Sequence, residues 1–118
     1  MSASHVACTL HKSNFRPHMS DVPSFNALLD TGALTGSYIS SFSFEKFRSC
    51  LRHRVSKRHV NVGLADHKAI LTSEEEILLD LELVDGSGNV LPFSTTLHVI
   101  DIPEGAIILG LSDINNGK

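Results

Sequence analysis

The residue in this sequence best placed for chemistry is Asp30. It directly follows a mostly apolar run, residues 25–29, and precedes Thr31, Gly32 and Ala33. Burying a lone carboxylate costs several kcal/mol unless partners compensate, so an inert fold rarely ends a buried strand in one. Thr31 can hydrogen-bond to nearby backbone groups, and Gly32 allows another chain to approach closely. The residue types fit a carboxylate that is held by compensating partners, and the alternative is a solvated turn residue.

A second apolar run lies near the other end of the chain. Ile107, Ile108 and Leu109 are followed by Gly110. A continuous apolar run of this length is typical of a strand buried on both faces. We expect this strand to pack beside the one that ends at Asp30.

Three segments together resemble a known family. Residues 28–33 are Leu-Leu-Asp-Thr-Gly-Ala, residues 37–40 are Ser-Tyr-Ile-Ser, and residues 107–110 are Ile-Ile-Leu-Gly. Their order and spacing resemble the retroviral-type aspartic proteases, the retropepsins, and most closely those of long-terminal-repeat retrotransposons. Residues 97–101, Leu-His-Val-Ile-Asp, stand where the family has the strand that precedes its last motif. The resemblance extends over residues 25–111 of a single domain, residues 1–118.

The resemblance implies hydrolysis of peptide bonds by a water molecule held between two carboxyl groups, without a metal or other cofactor. Two carboxyl groups about 3 Å apart share one proton, because like charges that close cannot both form. The chain has one Asp-Thr-Gly segment, and Asp85-Gly86-Ser87 is not a second copy because its order differs. A two-fold axis between two copies of Asp30 would supply the second carboxyl group. The resemblance therefore implies a homodimer that processes a peptide or the polyprotein of a retroelement.

The resemblance also assigns roles to individual residues. Asp30 would activate the water in one subunit and protonate the substrate in the other. Thr31 would reach across the dimer to fix the two carboxyl groups, and Gly32 would leave room for water and substrate. The residues that support the active site would be Thr31, Gly32, Ala33, Ile108, Leu109 and Gly110.

Retropepsins close a hairpin, the flap, over the bound peptide. By position, the flap of this chain is expected within residues 60–76, with its tip near residues 66–68. His67 stands where transposon proteases often have glycine after Leu-Ala-Asp, and this predicts a stiffer or differently shaped flap. The flap residues implied by the resemblance are Leu64, Ala65, Asp66, His67 and Lys68.

The sequence departs from the family after Gly110. One extra residue separates Gly110 from Asp113, and only eight residues follow Gly110, where the family continues into a helix. We therefore expect either a truncated C-terminus or a dimer built by other means. Together with His67, these departures keep open an alternative function, a catalytically inactive retropepsin-like module for dimerisation or protein binding.

Other clusters of polar residues favour structural roles. His5, Cys8, His11 and His18 have spacings that suggest zinc, but on a strand the first three would not share a face, so no metal site is expected. Six bases lie within residues 46–58, but no aromatic residues alternate with them as in single-strand nucleic-acid platforms. This segment is expected to be a solvated helix end and loop, and no nucleic-acid partner is expected. Residues 74–76, three glutamates, are interpreted as a solvated patch, and the remaining histidines as surface or rim residues.

The elements that must position Asp30 are mostly strands. Alternating apolar residues predict strands over residues 5–12, 60–64, 77–83 and 90–102, with a hairpin turn at residues 85–89. Shorter strands are predicted at residues 24–29, 38–39 and 106–109. Phe44, Phe47, Cys50 and Leu51 share one helical face, which predicts a helix of about two turns with Ser43 as its N-cap. These elements predict a mostly β fold, and the resemblance implies a closed, retropepsin-like β domain of about seven strands and one or two short helices, half of a two-fold dimer.

Composition agrees with one ordinary globular domain. Hydrophobic residues make up 42% and charged residues 19% of 118 residues, and the net charge is −3. No apolar run approaches the roughly 20 residues that span a bilayer, so no membrane partner is expected. The first residues carry no secretory signal pattern, so the two cysteines are expected to be reduced in the cytoplasm or in a retroelement particle.

Overall fold

The computed structural model describes residues 3–16, 22, 24–30, 36–63, 70–103 and 105–110. Over these residues it contains seven strands, one α-helix and two short 3-10 helices, Lys12–Asn14 and Arg52–Arg54. In chain order the elements are β1 (Ala3–Leu10), β2 (Ser24–Asp30), β3 (Ser37–Ser40), α1 (Ser41–Leu51), β4 (Val55–Gly63), β5 (Ile70–Val84), β6 (Val90–Ile100) and β7 (Ala106–Gly110). The predicted fold class, a mostly β closed domain with short helices, is confirmed.

Six of the strands close into a barrel. The sheet runs in the order β1-β2-β7-β3-β6-β5-β4, and β1 also pairs with β5, which joins the two ends of the six-stranded part. Strand β4 lies outside this ring and extends the sheet beyond β5. Among the described strands β4 pairs only with β5, so its other edge has backbone groups without a strand partner.

The strand from the end of the chain lies between two strands from its beginning. Strand β7 pairs in parallel with β2 and antiparallel with β3, while β3 pairs in parallel with β6. Asp30 at the end of β2 and Gly36 just before β3 therefore both lie beside Gly110, at the end of β7. The expectation that the Ile107–Leu109 run packs beside the strand ending at Asp30 is confirmed.

Alternation along β5 shows why the barrel encloses a core. Ile77, Leu79 and Leu81 each have at most 1% of their surface exposed, whereas Leu78 between them is 48% exposed. Burying each such side chain stabilises the fold by about 1.5–3 kcal/mol. Residues from the other elements that complete this core include Cys8, Leu10, Ala27, Ile39, Phe44, Leu51, Leu97, Ile107 and Leu109.

The helix differs from the prediction in its start and its length. Helix α1 covers eleven residues, about three turns, and its N-cap is Ser40 rather than Ser43. The Ser40 hydroxyl accepts a hydrogen bond from the Ser43 backbone N–H. The Ser43 hydroxyl instead accepts from the Gly105 N–H, 62 residues along the chain. The prediction was wrong because either serine satisfies the local capping pattern, and only the tertiary contact distinguishes them.

The basic segment is also organised differently from the prediction. Strand β4 begins at Val55, so Lys57 and Arg58 lie on a strand and not in a loop after the helix. Strand β5 begins at Ile70, well before the predicted Ile77. Among the described residues no helix is long and apolar enough to cross a membrane.

Candidate functional site

Asp30 occupies the end of a central strand. In the backbone register it lies opposite Ala3 of β1 on one side and Gly110 of β7 on the other. The strand is anchored by Phe25 and Ala27, which are buried in the barrel core. The chain thus leaves β2 at Asp30 from a position fixed on both sides by neighbouring strands.

Gly110 packs against Gly36, the first described residue after Asp30. A Cβ atom at Gly110 would lie 2.6 Å from the carbonyl oxygen of Gly36, closer than real Cβ contacts permit. The Gly110 N–H donates a hydrogen bond of 3.3 Å to the hydroxyl of Ser37, which is fully buried. Glycine is therefore required at position 110 by a close backbone approach. The five residues 31–35 connect two points, Asp30 and Gly36, that are both held against the end of β7.

The site residues implied by the resemblance fall into two groups. Leu109 is fully buried in the core, Ile108 is half-buried on the outer face of β7, and Gly110 makes the contacts just described. Only the backbone register of Asp30 is described. Thr31, Gly32 and Ala33 lie outside the described residues, as do the tip residues of the expected flap, Leu64, Ala65, Asp66, His67 and Lys68.

The strands that lead to the expected flap do form a hairpin. Strands β4 and β5 are antiparallel, and Gly63 pairs with Ile70 at the last described position before the tip. Val62 is buried against Tyr38 and Ile100, in a small apolar cluster on the outside of the barrel. The hairpin is therefore packed against the outer face of β3 and β6, near the point where the chain returns from Asp30.

One continuous row of residues crosses this outer face. Strand register places Leu28 beside Ile108, Ile108 beside Tyr38, Tyr38 beside His98, and His98 beside Glu76. Residues adjacent to these in sequence, such as Ala27 and Ile107, point into the core. We call Leu28, Ile108, Tyr38, His98 and Glu76 the outer row. It begins two residues before Asp30 on β2 and passes from apolar to polar side chains.

A cavity opens at each end of the outer row. The apolar cavity has a volume of about 330 Å³ and is lined by Leu28, Ile108, Ala106 and Ile102, among others. The polar cavity, of about 360 Å³, is lined by Arg58, Val60, Glu76, Thr96 and His98 and by the backbone turn at residues 36–37. Both cavities border the segments that flank residues 31–35.

Sequence patterns did not identify the polar end of the row. His98 was expected at the surface or rim, yet its ring packs against Tyr38 with centroids 5.8 Å apart. Its Nδ1 atom is buried without a hydrogen-bond partner among the described residues. Alternation along β6 could have identified this position, because it places His98 on the face opposite the buried Leu97 and Val99.

Of the three glutamates at residues 74–76, Glu74 is solvent-exposed as expected, whereas the side chains of Glu75 and Glu76 are largely shielded from solvent. Glu75 receives two hydrogen bonds from Arg48, of 2.6 and 2.9 Å, and its side chain is only 13% exposed. These hydrogen bonds hold the pKa of Glu75 below its usual range. Glu76 lies 3.5 Å from Arg58, and Glu74 accepts from His59 at 2.7 Å if that ring nitrogen is protonated. Basic residues of α1 and β4 therefore neutralise Glu75 and Glu76 on β5.

A separate polar cluster lies where β1 closes on β5, far along the sheet from Asp30. The Asn14 side chain is fully buried, donates to the carbonyl oxygens of His11 and Asp80, and accepts from the Asp80 N–H. The Asp80 carboxylate accepts from the hydroxyls of Ser13 and Ser94. We call His11, Ser13, Asn14, Asp80 and Ser94 the seam cluster. All of them except Asn14 border a cavity of about 350 Å³.

The cysteines are core or near-core residues. Cys8 is fully buried, and burial raises the pKa of its thiol to about 12. Cys50 is half-buried against the core, and both cysteines are free thiols. Within the described ranges, no group of three or more His, Cys, Asp or Glu side chains could hold a metal ion.

No known family model matches this chain, and no curated protein matches it.

Proposed function

We propose that this protein is an aspartic endopeptidase that works as a homodimer and resembles the retropepsins, with Asp30 from each subunit forming the catalytic pair. The observation that carries the proposal is the register of Asp30 opposite Gly110, with the Gly36 carbonyl packed against Gly110. The two motifs that resemble the family lie 80 positions apart in sequence. They are neighbours in the fold at the same end of two parallel strands.

The reaction requires little from the rest of the chain beyond positioning. One Asp30 carboxylate would take a proton from water as the water oxygen attacks the carbonyl carbon of the peptide bond. The protonated carboxyl group of the other subunit would donate to the carbonyl oxygen. Collapse of the resulting gem-diol would break the C–N bond, with a proton transferred to the leaving amine. Strands β2 and β3, which precede and follow residues 31–35, would hold the two carboxyl groups in this arrangement.

The apolar cavity supports a peptide substrate. Leu28 and Ile108 each lie two residues before the paired positions Asp30 and Gly110. An apolar side chain of a bound peptide would find a matching surface there, within reach of the proposed catalytic pair. We therefore expect cleavage next to hydrophobic residues.

The experiment is cleavage of a mixed peptide pool at mildly acidic pH, analysed by mass spectrometry. Three proteins are compared: wild type, Asp30→Asn, and the matched control Asp101→Asn, which removes a carboxylate from an exposed bend. Wild type and Asp101→Asn should cut the same bonds, and Asp30→Asn should cut none. Equal cleavage by all three would contradict the proposal. Absence of cleavage from folded wild type would favour the inactive binding module.

A further inference from the structure

The polar cavity at the far end of the outer row has the features of a built pocket. Four strands contribute to it, with Arg58 and Val60 on β4, Glu76 on β5, and Thr96 and His98 on β6, while β3 starts beside it. Its volume of about 360 Å³ is large enough for a long side chain. Val60 packs against the apolar cluster under the hairpin, so one wall of the pocket is fixed.

The charged groups of this pocket are only loosely satisfied. Arg58 Nε lies 3.5 Å from Glu76 Oε1, longer than a good charge-assisted hydrogen bond. The Arg58 side chain is 66% exposed, whereas that of Glu76 is 21% exposed. A ligand could therefore displace Arg58 slightly and bond to both groups at once.

The pocket contains both hydrogen-bond acceptors and hydrogen-bond donors. Glu76 presents carboxylate oxygens, Arg58 presents guanidinium N–H groups, and Thr96 carries a hydroxyl that does both. The formal charges of Arg58 and Glu76 cancel. A ligand group with a net charge would be attracted by one residue and repelled by the other, and such like-charge contacts are costly in a partly desolvated site.

We infer that this cavity is a specificity pocket for a neutral side chain that both donates and accepts hydrogen bonds, glutamine or asparagine, in the peptide substrate. The inference rests on the proposed function and adds a substrate preference to it. The residues that would read the side chain are Arg58, Glu76 and Thr96.

The outer row gives the spacing between the two preferred substrate residues. The apolar cavity lies at β2 and β7, and the polar cavity lies about three strands further along the row. Three strand spacings of about 4.8 Å make roughly 14 Å, which an extended peptide spans with about four residues. Residues four apart in an extended chain point to the same side. The substrate would therefore carry an apolar residue and, about four positions away, a glutamine or asparagine.

The test measures binding as well as cleavage. Fluorescein-labelled decapeptides would contain one fixed Leu and a variable residue, Gln, Leu, Lys or Glu, placed four positions before or after it. Binding to Asp30→Asn, which does not require catalysis, is measured by fluorescence anisotropy, and cleavage by wild type is measured in parallel. For at least one of these two placements, the Gln peptide should bind about tenfold more tightly than the Lys, Glu and Leu peptides.

Charge substitutions in the pocket sharpen the test. Glu76→Gln leaves Arg58 unopposed and should shift the preference about tenfold towards the Glu peptide. Arg58→Gln should shift it by a similar factor towards the Lys peptide. Lys57→Gln and Glu74→Gln make the same charge changes on the same hairpin outside the pocket, and they should leave the preference unchanged. Circular dichroism would verify that all variants are folded.

The outcomes separate this inference from the proposed function. Equal affinity for all four peptides, or the same shift in the control variants, would contradict the specificity pocket even if wild type cleaves peptides. The opposite result is a Gln preference that shifts to Glu or Lys with the two charge substitutions, in a protein that cleaves nothing. It would support the specificity pocket and contradict the proposed peptidase activity.

Discussion

The seam cluster and the polar end of the outer row border cavities of nearly the same volume, but they differ in how their polar groups are partnered. In the seam cluster, Asn14 makes three hydrogen bonds to backbone groups, and Asp80 accepts from two hydroxyls. At the polar end of the outer row, Arg58 and Glu76 are 3.5 Å apart, and His98 Nδ1 has no partner in the described part of the chain. Polar groups that satisfy one another stabilise a fold, whereas loosely paired groups are available to a ligand. Cavity size alone would not distinguish the two regions.

The largest expected effect on stability belongs to Asn14. Asn14→Ala removes three buried hydrogen bonds to backbone groups, although the His11 and Asp80 carbonyl oxygens each keep one backbone N–H donor. At about 1 kcal/mol for each bond lost, we expect it to lower the free energy of unfolding by about 3 kcal/mol. Urea denaturation followed by circular dichroism measures the change. Asn61→Ala, at an exposed strand position, should change stability by less than about 0.5 kcal/mol. A small effect at Asn14 would mean that the seam cluster is not a structural element.

The next largest effect is expected at Gly110. The added Cβ of Gly110→Ala meets the Gly36 backbone, which cannot move aside as a flexible side chain would. We expect a loss of about 2 kcal/mol in unfolding free energy, together with loss of any Asp30-dependent cleavage. Gly86→Ala is the control, because a Cβ there meets nothing within 4 Å. Full activity and stability in Gly110→Ala would contradict the close packing at the end of β7.

A smaller, pH-dependent effect is expected at Asp80. The Ser94 hydrogen bond, followed by the charge of Arg54, holds the pKa of Asp80 below its usual range. Because the pKa is lower in the folded state, Asp80 stabilises the fold above its unfolded pKa near 4 and loses this contribution as the pH falls through the folded-state pKa. Its side chain is 37% exposed, so solvent screening limits the contribution to about 1 kcal/mol.

The measurement is the unfolding free energy of wild type and Asp80→Asn between pH 7 and pH 2. Wild type should be the more stable protein above pH 5, and the two curves should converge at the acidic end. Asp101→Asn provides the baseline for a carboxylate outside the cluster. A constant difference at every pH would show that the ionised form of Asp80 is not the stabilising species.

The smallest effect on stability, and a large effect on recognition, is expected at His98. His98→Phe keeps an aromatic ring beside Tyr38 and removes a buried nitrogen that has no hydrogen-bond partner among the described residues, so stability should stay within about 0.5 kcal/mol of wild type. The preference for the Gln peptide should weaken, because one wall of the pocket becomes apolar. Thermal denaturation and fluorescence anisotropy measure the two effects. Marked destabilisation would place His98 with the seam cluster as a structural residue.

The strands and their faces could be predicted because alternation is a local property of the sequence. The buried face of β5 and the pairing of the Ile107–Leu109 run with β2 both follow from apolar patterns. The N-cap could not be predicted, because Ser40 and Ser43 fit the local pattern equally well and a contact with distant Gly105 decides between them.

The candidate site was only partly predictable for the same reason. Asp30 and Gly110 each end an apolar run that predicts a strand, and their positions in the fold follow from the strands β2 and β7. The outer row depends on the register of five strands, which no single segment encodes. The ion pairs between β4 and β5 likewise arise from pairing, so charge runs that look solvated in the sequence neutralise each other.

Subunit mixing tests the central proposal, a catalytic pair built from two copies of Asp30. Wild type and Asp30→Asn are unfolded together, refolded at equal amounts, and assayed on the best-cleaved peptide at constant total concentration. If both carboxyl groups are required, only dimers of two wild-type chains are active, and random pairing leaves about a quarter of the all-wild-type rate. Asp101→Asn mixed in the same way should leave the full rate. A rate of one half in the Asp30→Asn mixture would show that each chain acts alone and would contradict the shared catalytic pair.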